Sequence, residues 1–263
     1  MRKLTHALVF AGVVGLPGVV VAHSAHAEEA ASPHTFTANV TLASEYIYRG
    51  IGQTNRKPAI QGGFDYSHSS GFYLGTWASN VSWLTDPGTA GLSNSMEWDF
   101  YGGFRGAFAN DWSYDVGVLQ YYYPGTYPAG FYSPDTTEVY GSIGWKWISL
   151  KYSHSTTDLF GWRSPTNQDT KGSGYLDLSA SYDLGNGWGI NGHVGHQKVK
   201  NFSAASYTDW KIGVTKDVGF GTVGLSYIDT NAQGDCSKAE PYCNAYGKDL
   251  GSGRGVISFT KTF

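Results

Sequence analysis

Charged residues recur at alternate positions along many short segments of this chain, with apolar residues between them. Successive side chains of a β-strand point to opposite faces, so each segment predicts a strand with one polar and one apolar face. The polar faces carry nine acids and four bases, and three further bases, Arg49, Arg56 and Lys57, lie in the first loop. The residues of the polar faces are Glu45, Asp65, Glu97, Asp99, Asp115, Glu138, Asp177, Asp183 and Asp209, then Arg105, Lys146, Lys151 and Lys211. A wall with such charges can set the ion selectivity of a pore.

Arg49 admits two interpretations. Its side chain could reach into a pore mouth and bind an anionic or hydroxylated solute. Alternatively, Arg49 pairs with Asp65 or Glu45 and stabilises the first hairpin, which we favour because charges enclosed in a barrel wall usually pair.

The remaining reactive residue types predict structure rather than catalysis. Cys236 and Cys243 lie in the last long loop with six residues between them, and we expect a local disulfide. His193 and His196 lie on opposite faces of one predicted strand, so they cannot readily share a metal ion. We expect no catalytic residue, no metal and no cofactor, and therefore no enzyme.

The strands that position these residues are most clearly marked between residues 96 and 108. There Met96, Trp98 and Phe100 alternate with Glu97 and Asp99. The same alternation predicts twelve strands in all, each near the roughly 9–11 residues of a tilted transmembrane strand. Ten or fourteen strands remain open, because the turn near residue 147 is poorly marked.

Two of the predicted strands carry aromatic residues on their apolar faces. The first runs from Phe36 to Tyr48, with Tyr46 and Tyr48 on its apolar face. The third places Tyr73 and Trp77 on its apolar face. We expect all four of these rings to point toward lipid.

The connections between strands alternate strictly in length. Five are short, near residues 70, 110, 147, 186 and 218, and six are long, near residues 54, 89, 129, 165, 204 and 241. Short periplasmic turns and long extracellular loops are typical of an outer-membrane up-and-down antiparallel β-barrel. A soluble β-sandwich has no reason to segregate loop length in this way. The all-β barrel should close by pairing Arg254–Phe263 with the first strand, and Lys261 then lies at the membrane interface.

The ends and the composition of the chain agree with export. Residues 1–27 have a positive start, an apolar stretch and an Ala25-His26-Ala27 cleavage pattern, which predicts a secretory signal peptide. We expect residues 28–263 to form one barrel domain. Loss of Arg2 and Lys3 takes the net charge from −3 to −5, which argues against a nucleic-acid partner.

The segment from Ser44 to Trp83 resembles the opening of the TorF family of Gram-negative outer-membrane porins. The matching pieces are Tyr48-Arg49-Gly50, Gln53, Pro58, Gln61-Gly62, Asp65-Tyr66, Gly71-Phe72-Tyr73, Gly75-Thr76-Trp77 and Ser79-Asn80-Val81, and the terminal Phe263 fits as well. The resemblance implies a location in the cell outer membrane and a pore function, but it carries no catalytic residue and no particular substrate.

The leading hypothesis is a channel for small solutes that weakly prefers cations or neutral molecules. The acids and bases could instead pair across the lumen and plug it, which would leave a non-conducting structural or interaction barrel. Expected partners are outer-membrane lipid, small solutes and, through the C-terminal strand, the outer-membrane assembly machinery. The oligomeric state and the solute are not predicted.

Overall fold

The structure, a computed structural model, describes residues 32–263 apart from the side chain of residue 109. The predicted signal peptide lies outside these residues and stays a prediction. Twelve strands within residues 32–263 form one closed antiparallel barrel. They are β1 (His34–Ala43), β2 (Ala59–His68), β3 (Phe72–Asn80), β4 (Met96–Ala109), β5 (Trp112–Tyr122), β6 (Thr136–Trp145), β7 (Ile148–Ser155), β8 (Gly174–Gly185), β9 (Trp188–Lys198), β10 (Tyr207–Asp217), β11 (Thr222–Thr230) and β12 (Arg254–Thr262).

Each strand pairs with its neighbours in sequence, and β12 closes the barrel against β1. The closing register runs from Asn39 opposite Thr262 to Ala43 opposite Ser258. Inside this seam the hydroxyls of Thr41 and Thr260 share a hydrogen bond of 2.8 Å. The prediction of twelve strands and of closure by the C-terminal strand is confirmed.

The alternation of short and long connections is also confirmed. The short ones span residues 69–71, 110–111, 146–147, 186–187 and 218–221, and the long ones span 44–58, 81–95, 123–135, 156–173, 199–206 and 231–253. The barrel therefore has a short-connection end, which also holds both ends of the barrel sheet, and a long-connection end. No helix within residues 32–263 is long and apolar enough to cross a membrane.

The outer surface of the barrel is apolar and carries aromatic residues near both ends. Near the short-connection end these are Phe108, Trp112, Trp145, Trp147, Trp188 and Phe220, and near the long-connection end they are Trp98, Tyr122, Tyr152, Trp210 and Tyr227. An apolar band between two aromatic girdles is the lipid-facing surface of a transmembrane barrel. Lys261 sits at the short-connection end, with its Nζ 5.9 Å from the centre of the Phe263 ring.

Two predicted strand features are wrong. The first strand ends at Ala43, and Tyr46 and Tyr48 belong instead to a hairpin inside the barrel. In β3, Tyr73 and Trp77 face inward, whereas Phe72 and Leu74 are exposed. Residues 72–74 are Phe, Tyr and Leu, so both faces of this segment carry apolar or aromatic side chains and the alternation alone could not decide which face meets lipid.

Candidate functional site

The first long connection folds back into the barrel as a small hairpin, which we call the lumen hairpin. Its two short strands, Ile47–Tyr48 and Ile51–Gly52, pair across a two-residue turn. The turn residues Arg49 and Gly50 have φ angles of 45° and 78°. Two successive left-handed residues are what a tight hairpin of this type requires, and glycine adopts them without steric cost.

The tip of the lumen hairpin contacts the wall beyond the closing strand. A Cβ atom added to Gly50 would lie 2.3 Å from Cγ2 of Thr230 and 2.6 Å from Cβ of Asp209. Such distances leave no room for a side chain. The hairpin, which belongs to the connection between β1 and β2, therefore packs at its tip against β10 and β11.

Arg49 joins the hairpin to two further strands. Its guanidinium donates to Glu138 of β6 through both terminal nitrogens, at 2.7 and 3.1 Å, and to Oε1 of Gln197 of β9 at 2.8 Å. It also lies over the ring of Tyr175, 4.3 Å from its centre. The Arg49 and Glu138 side chains are only 8% and 2% exposed, so this is a buried ion pair across the lumen. Charge-assisted, bidentate hydrogen bonds of this kind are stronger than neutral ones, although burial removes the hydration of both charges.

The predicted partners of Arg49 are therefore wrong. Asp65 accepts the hydroxyl of Tyr101 at 2.7 Å, and Glu45 pairs with Arg254 at 3.1 Å. Arg49 lies at the tip of the hairpin, whereas Glu45 lies at its base and Asp65 lies further down β2, opposite Thr37. The ion-pair partner of Arg49 depends on the direction in which the hairpin points into the lumen, and the local sequence does not encode that direction.

Tyrosine hydroxyls attach the hairpin to the remaining wall. Tyr46 donates to Oε1 of Glu97 at 2.7 Å, and Tyr123 donates to Oε2 of the same carboxylate at 2.5 Å. The hydroxyls of Tyr48 and Tyr121 lie 2.7 Å apart. The upper lumen, toward the long connections, is therefore packed like a protein core, and it contains polar groups whose hydrogen bonds are satisfied within it.

Asp99 is one exception in this packed region. Its side chain is 0% exposed, and neither carboxylate oxygen has a hydrogen-bond partner among the described residues. A buried carboxylate without partners costs free energy because it loses its hydration. Asp99 therefore occupies an unfavourable position within the occluded lumen.

The lower lumen, toward the short connections, includes charged side chains that stay partly exposed. His193 lies between two carboxylates, with its Nδ1 2.9 Å from Asp177 and its Nε2 3.5 Å from Asp209. Asp177, His193 and Lys211 are partly exposed. This half of the interior is a polar wall that presents charges to open space.

Other pairs of aromatic and charged groups continue this wall on the opposite side. The Tyr73 hydroxyl donates to Asp115 at 2.6 Å and lies 2.5 Å from the Tyr140 hydroxyl. Lys151 and Arg105 lie over the Tyr140 and Tyr73 rings, at 4.0 and 4.8 Å. Alternation predicted the charged members, but it gave no signal for the tyrosines that bind them.

Two of the predicted wall residues lie at the short-connection rim. Lys146 is exposed in the turn at 146–147, with a φ angle of 53°, and stacks over Trp145. Asp183 is exposed and accepts the backbone N–H of Gly185 at 2.8 Å. The other predicted residues face the lumen or its mouth. In the last long connection, Cys236 and Cys243 form a disulfide.

A closed antiparallel barrel with an apolar, aromatic-banded exterior and a charged interior defines a transmembrane β-barrel of porin-like architecture. In this barrel the upper lumen is occluded by a segment of the same chain. The chain belongs to the family described as "Bacterial protein of unknown function (Gcw_chp)", which matches residues 27–263.

Solved structures share the fold at low sequence identity. The KdgM porin has a TM-score of 0.52 and 8% identity, over 86% of this chain and 99% of that one. The NanC porin has a TM-score of 0.52 and 8% identity, over 87% of this chain and 99% of that one. A comparison with curated proteins finds no match. The resemblance to the TorF family is tested by none of these and stays a prediction.

Proposed function

We propose that this protein is an outer-membrane channel for small solutes, closed on its long-connection side by the lumen hairpin. The observation that carries the proposal is the two-part interior. Below the hairpin, Asp177, His193 and Lys211 stay partly exposed on a polar wall, as expected for a solvated lumen. In the upper lumen, the hairpin packs together with residues of the other long connections, such as Tyr123, Leu159 and Tyr242. The KdgM and NanC structures, both named porins, support the same function.

The charge balance of the interior supports a weak preference for cations or neutral solutes. Nine acids face four bases on the predicted polar faces. Lys146 and Asp183 lie at the rim and have opposite charges, but Arg49 and Arg254 pair with Glu138 and Glu45 in the interior, so the excess of acids falls from five to three. An acidic lumen raises the local concentration of cations and repels anions.

The proposed location and partners follow from the exterior. Its apolar band contacts outer-membrane lipid, and the chain reaches the membrane by the predicted export signal. The closing strand, which ends at Phe263, is the segment we expect the assembly machinery to bind. Membership of the TorF family, proposed from the residue 44–83 motif, agrees with this location.

Planar-bilayer recording of the refolded barrel tests the proposal. We expect rare, brief current steps from the wild type and steady, larger steps after residues 46–53 are replaced by a Gly-Ser linker of equal length. Heat-modifiable electrophoretic mobility shows whether each variant has folded. The milder Arg49→Ala variant serves if the linker variant fails to fold. A Gly-Ser replacement of the exposed residues 88–91 is the matched control and should conduct like the wild type.

The outcomes separate this function from a second candidate. The dense packing of the upper lumen favours a non-conducting barrel that binds partners through its loops, where Phe131 and Tyr132 are exposed. Absence of current steps from every folded variant would overturn the channel and leave the interaction barrel. A reversal potential that shows clear anion selectivity would overturn the proposed charge preference alone.

A further inference from the structure

Two lysines lie close together on the outside of the barrel, at its long-connection end. Lys198 is the last residue of β9, Lys200 follows two residues later, and both are exposed. Neither forms an ion pair with any residue that the structure describes. Backbone atoms two residues apart are separated by at most about 7 Å. The two like charges therefore repel each other unless an anion lies beside them.

A glycine opens the outer surface next to these lysines. Gly174 begins β8, with His154 of β7 directly opposite on one side and Lys198 of β9 on the other. Residues opposite each other on paired strands share one face of the sheet, and exposure of Tyr152 and Leu176 shows that this is the outer face. Neighbouring strands are about 4.8 Å apart, so a gap of about 10 Å separates β7 from β9 here.

Side chains from both neighbouring strands meet over this gap. A Cβ atom added to Gly172, in the connection before β8, would lie 3.5 Å from Nζ of Lys200 and 3.9 Å from Cε1 of His154. A Cβ atom added to Gly174 would overlap the Tyr152 hydroxyl. The two glycines therefore give space to the polar groups of their neighbours. We call these neighbours the outer cluster, which consists of Tyr152, His154, Lys198 and Lys200.

The outer cluster lies at the level expected for lipid headgroups. Tyr152 belongs to the aromatic girdle at the long-connection end, and such girdles mark the membrane interface. Tyr152 is opposite Leu176, whereas Lys198 is opposite Gly174, two residues or about 7 Å closer to the long connections. An anion that reaches these lysines from the membrane side is therefore carried by a lipid, because the lumen lies on the other face of the wall.

The acids of the adjoining connection do not neutralise the lysines. Asp158 pairs with Arg163 at 2.7 Å. Asp169 forms no ion pair within residues 32–263, and its backbone carbonyl accepts the side-chain amide of Asn201 at 2.9 Å. In β8, Asp177 points into the lumen, where it contacts His193. Both lysine charges therefore remain uncompensated on the outer face.

We propose that the outer cluster binds the terminal phosphate of a membrane lipid in the leaflet on the long-connection side. Such a phosphate carries about 1.5 to 2 negative charges and three acceptor oxygens. Lys198 and Lys200 neutralise this charge, since an ammonium group binds phosphate well as a point charge. The Tyr152 hydroxyl and a ring N–H of His154 supply the remaining donors. The site is independent of conduction, because it uses the outer face of the wall.

Native mass spectrometry of the refolded barrel, released from detergent micelles, tests the site with three lipids that share their acyl chains. These are phosphatidic acid (terminal phosphate), phosphatidylglycerol (phosphodiester anion) and phosphatidylcholine (zwitterion). We expect the barrel to retain phosphatidic acid most strongly and phosphatidylcholine most weakly at equal concentration. Inorganic phosphate in excess should not displace phosphatidic acid, because the acyl chains add binding energy through contact with the apolar band.

The variant Lys198→Gln/Lys200→Gln removes both charges, so its affinity for phosphatidic acid should fall about ten- to thirtyfold. Lys198→Gln alone should lose about fivefold. Lys57→Gln/Lys238→Gln, which changes exposed cations of two other long connections, is the matched control and should bind like the wild type. Heat-modifiable mobility shows that each variant is folded.

Four outcomes would each overturn the site. They are unchanged retention of phosphatidic acid by the Lys198→Gln/Lys200→Gln variant, an equal loss in the control variant, equal retention of phosphatidylcholine by the wild type, and displacement of the lipid by inorganic phosphate. An equal loss in the control would show that net charge alone attracts the lipid. Displacement by inorganic phosphate would show that the cluster binds a soluble anion instead.

Discussion

Replacing Arg49 with alanine removes the cation that joins the lumen hairpin to the wall. The change leaves Glu138, which is 2% exposed, with only the Tyr121 hydroxyl at 3.4 Å. Breaking a buried ion pair by removing one partner costs about 3–5 kcal/mol, because the other charge stays buried without compensation. We therefore expect Arg49→Ala to lower the free energy of unfolding by about 3–5 kcal/mol.

A double-mutant cycle separates the ion pair from the other contacts of Arg49. Glu138→Gln keeps the shape of the side chain and removes its charge. If Arg49 and Glu138 act as a pair, the two changes together should cost less than their sum, by about 2–3 kcal/mol. Urea unfolding of the refolded barrel in lipid vesicles, followed by tryptophan fluorescence, measures each variant.

Lys171→Ala is the matched control, because Lys171 is an exposed cation in a long connection. It should change the free energy of unfolding by less than about 0.5 kcal/mol. A loss below about 1 kcal/mol for Arg49→Ala, or strict additivity with Glu138→Gln, would refute the reasoning. The same variants in planar bilayers report whether the weakened hairpin also opens the lumen.

Gly50→Ala places a methyl group against Thr230 and forces a residue with a Cβ to a φ of 78°, so it should unseat the hairpin tip and lengthen the open times in bilayer recordings. An unchanged current trace would contradict that contact. Asp99→Asn removes an unpartnered buried charge and should raise the free energy of unfolding at pH 7 by about 1–3 kcal/mol, with a smaller gain at low pH where the carboxyl is protonated. Urea unfolding at several pH values measures this, and a destabilised variant at pH 7 would refute it. Reduction of the Cys236–Cys243 disulfide should leave the heat-modifiable mobility of the barrel unchanged but speed proteolysis within residues 231–253; equal cleavage rates with and without reductant would show that the disulfide does not restrain the loop.

Much of the barrel could be predicted because one physical constraint repeats along the chain. A strand between lipid and a polar lumen must alternate, as Met96, Trp98 and Phe100 do with Glu97 and Asp99. The turn residues mark which connections are short and which are long, and the alternation of the two lengths distinguishes the two ends of the barrel. The number of strands and their closure are consequences of these two patterns.

The occluded lumen could not be predicted in the same way. Tyr46 and Tyr48 continue the alternation of the first strand, so nothing in that pattern marks where the strand stops. A signal does exist, since Arg49-Gly50 between two apolar pairs is a plausible two-residue hairpin turn. Even so, the partner of Arg49 depends on the direction of the hairpin, which is set by contacts with residues far along the chain, such as Gln197.

The β1–β12 seam has a consequence for the order of assembly. The Thr41 and Thr260 hydroxyls that meet in this seam are 219 residues apart, so their pairing closes one of the longest loops in the chain and should come late. The lumen hairpin is attached directly to β1, and Glu45 at its base binds Arg254 of the closing strand. The same pairing of β1 with β12 that closes the barrel therefore also brings Arg254 to the base of the lumen hairpin. In assembly kinetics, burial of the hairpin and closure of the barrel should appear as a single final step.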